Sequence, residues 1–331
     1  MRCGVLGAGS WGTTLADLLA KQGHQVMLWA FEPEVADQIT RTGVNQVFLA
    51  GCPLHSALKV TTDPLAAVEG AEILLVATPS HATRSVLMRL VGQLSPTTVL
   101  VSATKGLEPD SLQRMSQVAA GCLPLNPYVV LSGPSFAAEV HAGQPTAVVA
   151  ASTDERAACV AQTAFSSAHF RVYSSSDVVG AEIGGSLKNV MAIAAGILEG
   201  LGLGHNPRAA LLTRGLAEIS RLGVALGADP RTFAGLAGMG DLVLTATGHL
   251  SRNRRLGVAL GQGESLKHYL AAHRTVAEGV NTTRAALKLA VEAGVELPIT
   301  AKVAEVLFEG KDPRVGITEL MERTPKPEQC A

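Results

Sequence analysis

The sequence predicts an α/β fold, a doubly wound sheet followed by an all-helical C-terminal domain. Three observations point there. Apolar β-type runs alternate with helical stretches from the first residue to about 175, the pattern of strands wound with helices on both faces. Gly7-x-Gly9-x-x-Gly12 stands between the first of those runs and the first helical stretch. After Ser174-Ser175-Ser176-Asp177 strand-like alternation nearly vanishes and helical spacing takes over.

Taken in order, residues 1–6 read as a short apolar strand, and residues 13–21 continue with helical periodicity. Each glycine between them has a reason to be there. Gly7 serves the tight strand-to-helix turn, Gly9 lets backbone approach a pyrophosphate, and Gly12 allows close packing of helix on strand. The pyrophosphate would sit at the helix N-terminus, where free N–H groups and the helix dipole both favour an anion. The strand at 25–29 completes a βαβ unit, so the segment reads as the fingerprint of a Rossmann-like dinucleotide-binding domain. Further β-type runs at 58–61, 72–77, 98–102, 128–131, 146–151 and 171–173 extend the sheet. Helical patterns at 178–201, 207–226, 275–293 and 300–309 make up the second half. Asp177 suits the N-cap of the first of these helices. The boundary therefore falls near 176, with a dinucleotide-binding domain at 1–176 and a helical substrate-binding domain at 177–331.

Composition narrows the function classes. With 47% hydrophobic and 17% charged residues the chain is of ordinary globular type. Its 27 basic and 28 acidic residues leave a formal charge of −1, so no global field steers it to nucleic acid or an anionic membrane. An anionic ligand must be held by a local site. The five cysteines are scattered, with no metal-ligand spacing, as expected of free thiols in a reducing compartment. No metal site is expected. The chain enters a strand at once, with no leader pattern, so a cytoplasmic location is expected. The charge-free stretch at 115–138 is interrupted by Pro124, Pro127 and Pro134 and reads as loop, strand, loop rather than a membrane span.

The helix beginning near 178 carries the chief catalytic candidate. Val179, Ile183, Leu187, Met191, Ala194 and Leu198 recur at helical spacing as a buried stripe, and Lys188 lies on a neighbouring face with Gly184, Ala192 and Ala195. Gly184, Gly185 and Gly196 each cost a helix about 1 kcal/mol against alanine, which suggests the close approach of another backbone or a ligand. Lys188 then reads either as a solvated surface lysine or as a group that meets a substrate. Reducing a carbonyl by hydride leaves an alkoxide, and a proton donor on that oxygen stabilises the transition state. Asp241, in Gly238-Met239-Gly240-Asp241, either orients that ammonium or serves as a turn or cap residue.

Anion candidates lie elsewhere. In His249-Leu250-Ser251-Arg252-Asn253-Arg254-Arg255, Ser251 can cap a helix whose first turn carries Arg252 and Asn253. Cations there oppose the helix dipole unless an anion is bound, so the run is either a phosphate site or a basic solvated turn. Lys105 in Ala103-Thr104-Lys105-Gly106 follows a strand and lies at the carboxyl edge of the sheet, where ligands bind in such folds. Ser132-Gly133-Pro134-Ser135 follows the next strand at the same edge, either as a simple turn or with Ser135 capping the short helix after it.

In one order, the blocks 7–16, 103–106, 132–139, 187–196, 238–242, 251–254 and 277–279 resemble the NAD(P)-dependent sn-glycerol-3-phosphate dehydrogenase family over nearly the whole chain. The resemblance implies reversible reduction of dihydroxyacetone phosphate to sn-glycerol 3-phosphate with NADH or NADPH, supplying the glycerophospholipid backbone. It implies Lys188 as proton donor and acceptor. It also implies Lys105, Gly133, Ser135, Asp241, Ser251, Arg252 and Asn253 as substrate ligands, the last three near the phosphate. Ser10, Trp11, Lys105, Ala137, Arg252 and Glu278 match cofactor positions, and Phe31, Glu32 and Val276 join Gly7, Gly9 and Gly12 in that set. A homodimer is the assembly expected of the family.

One segment departs from the family pattern. Where an arginine or histidine often meets a 2′-phosphate, this chain reads Trp29-Ala30-Phe31-Glu32-Pro33. Glu32 is able to accept from a ribose 2′-hydroxyl, two residues past the usual acidic position, which predicts weakened use of NADP. Two competing readings are a related two-domain dehydrogenase of another small acid and a catalytically silent dinucleotide-binding regulator. Lys105 with the 251–254 block argues against the first, and Lys188 together with Asp241 against the second.

Overall fold

The computed structural model describes residues 1–273, 277–325, 327 and 328, and divides into two compact units. The first comprises Met1–Lys105 and Gln113–Ala181, the second Gly106–Leu112 and Glu182–Ala331. This differs from the single division expected near 176. The division falls between Ala181 and Glu182, inside the helix that opens at Val178, and the short segment Gly106–Leu112 belongs to the second unit.

In the first unit the elements run β1 (Arg2–Leu6), α1 (Ser10–Lys21), β2 (Gln25–Trp29), α2 (Pro33–Thr42), β3 (Lys59–Thr61), α3 (Pro64–Val68), β4 (Ile73–Val76) and α4 (Ser80–Met88). There follow β5 (Val99–Ser102), α5 (Met115–Cys122), β6 (Tyr128–Ser132), α6 (Ala137–His141), β7 (Thr146–Ala151), α7 (Glu155–Phe165) and β8 (Phe170–Ser175). They build one sheet in the order β3-β2-β1-β4-β5-β6-β7-β8. Pairing is parallel except between β6 and β7. Alternation along the central strands splits the core in two. Val5, Ile73, Leu75 and Val101 join the apolar cluster of α1, α2 and α7, whereas Leu6, Leu74, Val76 and Leu100 join that of α3, α4 and α5. Such a doubly covered sheet is the Rossmann-like arrangement the alternation predicts. Strand order reverses between β1 and β4, so the carboxyl ends of those strands flank the crevice where such sheets bind ligands.

The second unit is helical. Its elements are α8 (Val178–Gly200, belonging to this unit from Glu182), α9 (His205–Ala225), α10 (Pro230–Phe233), a π-helical turn at Leu236–Gly240, and α11 (Asp241–Thr247). Then come α12 (Arg252–Gly261), α13 (Leu266–Ala272), α14 (Glu278–Glu292), α15 (Pro298–Ala304), a second π-helical turn at Glu305–Glu309, and α16 (Pro313–Met321). The helix expected at 300–309 is thus divided, because Pro298 starts it two residues earlier and the hydrogen-bond register changes at Glu305. The expected helix start at Thr275 lies outside the described residues.

Helix α8 is buried on all sides from Gly180 to Leu198 rather than along one stripe. Among the described residues it is the one helix long and apolar enough to cross a bilayer, and 94% of its apolar window lies inside the protein. Asp177 caps it, accepting from the Gly180 N–H at 2.9 Å. Its glycines meet backbone. A methyl group at Gly196 would stand 2.0 Å from the Arg254 carbonyl oxygen, and one at Gly200 2.3 Å from that of Val258. Reciprocally, methyl groups at Gly257 and Gly261 of α12 would stand 2.0 Å from the Ile193 oxygen and 2.5 Å from that of Ile197. Two glycines one turn apart on each helix therefore let the backbones of α8 and α12 touch.

Glu218, buried in α9, closes the start of α15. Its carboxylate accepts from the N–H groups of Ile299 at 2.5 Å and Thr300 at 3.2 Å, and from the Thr300 hydroxyl at 3.1 Å. Those N–H groups have no partner within their own helix, so the glutamate caps α15 from a distance. Burial pushes its pKa up to about 7, outweighing the hydrogen bonds that pull it down.

Candidate active site

In the first unit the glycine loop follows β1 at the strand-order reversal. Gly7 has φ +111°, and a methyl group there would stand 2.8 Å from the Ala77 carbonyl oxygen. At Gly12 it would stand 1.9 Å from the Gly7 oxygen. The fold itself demands these two glycines. Gly9 is different: its φ of −66° suits any residue, and a methyl group there would meet nothing within 4 Å. The space beside Gly9, at the N-terminus of α1, is where a dinucleotide pyrophosphate fits. Ser10 and Trp11 open α1, and the buried Trp11 indole nitrogen has no hydrogen-bond partner among the described residues. The Thr14 hydroxyl donates to the Ala137 carbonyl at 3.3 Å and so ties α6 to α1.

Lys105 and Ser135 lie beyond β5 and β6 at the same sheet edge. The Lys105 ammonium and the Ser135 hydroxyl both donate to the Gly133 carbonyl, at 3.1 and 3.0 Å. Ser135 therefore does not cap α6. That helix begins at Ala137 with Phe136 in the cap position, one residue too late for the serine hydroxyl. Gly133 holds φ +137°, a conformation that requires glycine. After β2, Phe31 is 73% exposed and Glu32 precedes α2 without its carboxylate capping that helix.

The second unit holds the charged pair. Lys188 is 6% exposed and Asp241 not at all. The Lys188 ammonium donates to the Asp241 carboxylate and, at 2.9 Å, to the Thr245 hydroxyl. The solvated-lysine alternative is thereby excluded, and Asp241 orients the ammonium rather than closing a turn. A π-helical turn, Leu236–Gly240, leads directly into Asp241. It packs tightly: a methyl group at Gly238 would stand 2.2 Å from the Phe233 oxygen, and one at Gly184 2.4 Å from that of Ala237.

Ser251 caps α12, accepting from the Arg254 N–H at 3.2 Å. Asn253 is buried and spoken for at both ends, donating to Asn189 Oδ1 at 2.9 Å and accepting from the Gly279 N–H at 3.0 Å. Arg252 reaches the surface, yet burial around it lowers its pKa, opposed by the negative charge of Glu278 and reinforced by Arg255. Arg254 turns inward to Glu199, with contacts of 2.9 and 2.5 Å, and anchors α12 to α8. Val276 lies outside the described residues. Sequence reading missed Thr245, one turn after Asp241, and Asn189, next to Lys188; their positions four residues and one residue from named candidates were the available signal.

Among the described residues no group of three or more His, Cys, Asp or Glu is placed to hold a metal ion.

The comparisons with known proteins agree along the whole chain. Residues 2–158 match the family described as NAD-dependent glycerol-3-phosphate dehydrogenase N-terminus, and 177–318 the corresponding C-terminus. A curated glycerol-3-phosphate dehydrogenase (NAD(P)+) of Geobacter metallireducens is 56% identical over 331 residues, covering 99% of each chain. The crystal structure of glycerol-3-phosphate dehydrogenase from Coxiella burnetii superposes with a TM-score of 0.94 at 41% identity, covering 97% of this chain and 99% of that one. A ketopantoate reductase from Ralstonia eutropha shares the fold alone, with a TM-score of 0.61 at 18% identity. With both halves of the sequence matched in order, and a dinucleotide loop in one unit and a buried lysine–aspartate pair in the other, this chain belongs to the NAD-dependent glycerol-3-phosphate dehydrogenase family.

Proposed function

We propose that the enzyme reduces dihydroxyacetone phosphate to sn-glycerol 3-phosphate, reversibly, with Lys188 passing the proton. The observation that carries this reading is the buried Lys188 ammonium held by Asp241 and Thr245. NADH or NADPH, when bound, supplies the hydride that reaches the carbonyl carbon. Lys188 Nζ gives a proton to the carbonyl oxygen as its charge develops, and regains one from solvent at the end of the cycle. Asp241 accepts from that nitrogen and holds it aimed before the proton moves, and Thr245 fixes its direction. In the oxidative direction the same nitrogen, once neutral, takes the hydroxyl proton.

The Rossmann-like unit (1–176 in the sequence division) takes the dinucleotide on Gly7, Gly9, Ser10, Trp11 and Gly12, with Phe31, Glu32 and Ala137 as further cofactor residues. Lys105, Gly133 and Ser135 serve the substrate from its carboxyl edge. In the helical unit (177–331), Ser251, Arg252 and Asn253 receive the phosphate at the start of α12 through the helix's first N–H groups and the Arg252 guanidinium, where an anion relieves the conflict between Arg252 and the helix dipole. Arg252, Val276 and Glu278 are also assigned to the cofactor. The described cysteines are free thiols, which fits a cytoplasmic enzyme, and the balanced charge fits a small-molecule partner rather than nucleic acid. The homodimer follows from the family resemblance, and sedimentation checks it. The product enters glycerophospholipid synthesis as its backbone.

The deciding experiment follows nicotinamide absorbance on adding dihydroxyacetone phosphate to the purified protein, with NADH and NADPH separately. Turnover that falls about a thousandfold in Lys188→Ala is expected. Absence of turnover with either cofactor, in protein that binds one of them, would overturn the substrate assignment.

A further inference from the structure

Behind the glycine loop lies a side chain that no step above employs. Asn45 sits in the connection between α2 and β3 and is wholly buried. Its amide nitrogen donates to the Ala8 carbonyl at 2.8 Å and to the Thr13 hydroxyl at 2.9 Å, and its oxygen accepts from the Phe48 N–H at 3.1 Å. The Phe48 N–H must meet an oxygen, so the other end of the amide is the donor, which fixes the orientation of the group. The Thr13 hydroxyl donates to the same Ala8 carbonyl at 3.2 Å.

Ala8 is the residue between Gly7 and Gly9. In a trans peptide the carbonyl and the following N–H point in opposite directions. Two donors pulling the Ala8 oxygen toward Asn45 therefore turn the Gly9 N–H the other way. We propose that Asn45 is a positioning residue for dinucleotide binding, one that pins the Ala8–Gly9 peptide from behind so that the Gly9 N–H is preset toward the pyrophosphate. A buried amide suits the task because it supplies two directed donors and satisfies its own oxygen locally, leaving no orphaned polar atom. An aliphatic residue of the same size would fill the space and leave the peptide free to rotate. Phe48 and Leu49 anchor the turn that carries Asn45, the first packed against the core and the second buried and donating its N–H to the Asn45 carbonyl at 2.8 Å.

The inference rests on the dinucleotide reading of the loop, and its test separates the two. Binding of NADH, ADP-ribose and adenosine is measured by calorimetry on the wild type, Asn45→Ala and Asn45→Asp, with the thermal midpoint of each. If the wild type fails to bind ADP-ribose, the loop reading itself falls. If it binds, the affinity of the variants for NADH and ADP-ribose is expected to drop about tenfold while that for adenosine, which has no phosphate, stays within about twofold. A merely structural role would lower the thermal midpoint and leave the ratio of ADP-ribose to adenosine affinity unchanged, and that result would overturn the proposal. Asn45→Asp keeps the acceptor for Phe48 but loses both donors, so it gives the same two-way reading if Asn45→Ala does not fold.

Discussion

The carboxylate of Asp241 is fully buried and its charge is met by the ammonium of Lys188, which the Thr245 hydroxyl holds from a second side. Removing either charge leaves the other stranded in the interior, at a cost of about 3 kcal/mol or more. Lys188→Met and Asp241→Leu are each expected to lose that much stability in urea denaturation. Lys188→Met combined with Asp241→Leu should lose far less than the sum, because neither charge is then left alone. Additive losses would show that the pair is not energetically coupled.

Glu218 gives the stability a pH dependence of unusual sign for a carboxylate. Its pKa in the folded protein, about 7, lies above the ordinary 4.5, so between these values the folded state holds a proton that the unfolded chain has released. Its stabilising contribution is complete below about pH 4.5 and is lost as pH rises through about 7, a change on the order of 3 kcal/mol. Glu218→Gln should remove this slope from the profile of unfolding free energy against pH between 5 and 8. An unchanged slope in the variant would assign the dependence to another group.

Gly9 and Gly12 make opposite demands. Alanine at Gly12 collides with the Gly7 carbonyl and should leave little folded protein. Alanine at Gly9 has room, so the variant should fold with a near-native thermal midpoint and bind NADH at least about tenfold more weakly, because the methyl group occupies the space the pyrophosphate needs. Native affinity in a folded Gly9→Ala protein would remove the pyrophosphate from that space.

The exposed Phe31 and the half-buried Glu32 after β2 carry no cation for a 2′-phosphate, and a Glu32 carboxylate would accept from a ribose hydroxyl. The ratio kcat/KM is expected to favour NADH over NADPH by at least about tenfold, since a carboxylate facing a phosphate is repulsive. Glu32→Arg should narrow the gap. A wild type that prefers NADPH would contradict the assignment.

The strand runs and the glycine loop were legible in the sequence because period-two alternation and turn chemistry are local properties. So was Lys188, marked by the small residues around it, and so was the Ser251 cap. The pairing of Lys188 with Asp241 was legible only as one of two roles for Asp241, because a contact across 53 positions leaves no local trace. Helix α8 misled in another way: its apolar stripe was visible, but burial on every face depends on which helices arrive later in the chain. Ser135 was legible only as either a turn or a cap residue, because cap chemistry fits several positions in such a turn, and only the observed start of α6 chooses between them. The π-helical turn before Asp241 follows from tertiary packing around Gly238 and has no recognised sequence signal.

The glycine seam between α8 and α12 has a mechanical consequence. With backbone resting on backbone at Gly196, Gly200, Gly257 and Gly261, no side chains lie between the helices at these points to act as a bearing surface. The two helices cannot slide or roll past each other there without steric collision. Lys188 on one and Ser251–Asn253 at the head of the other are therefore carried by helices whose backbones bear directly on each other.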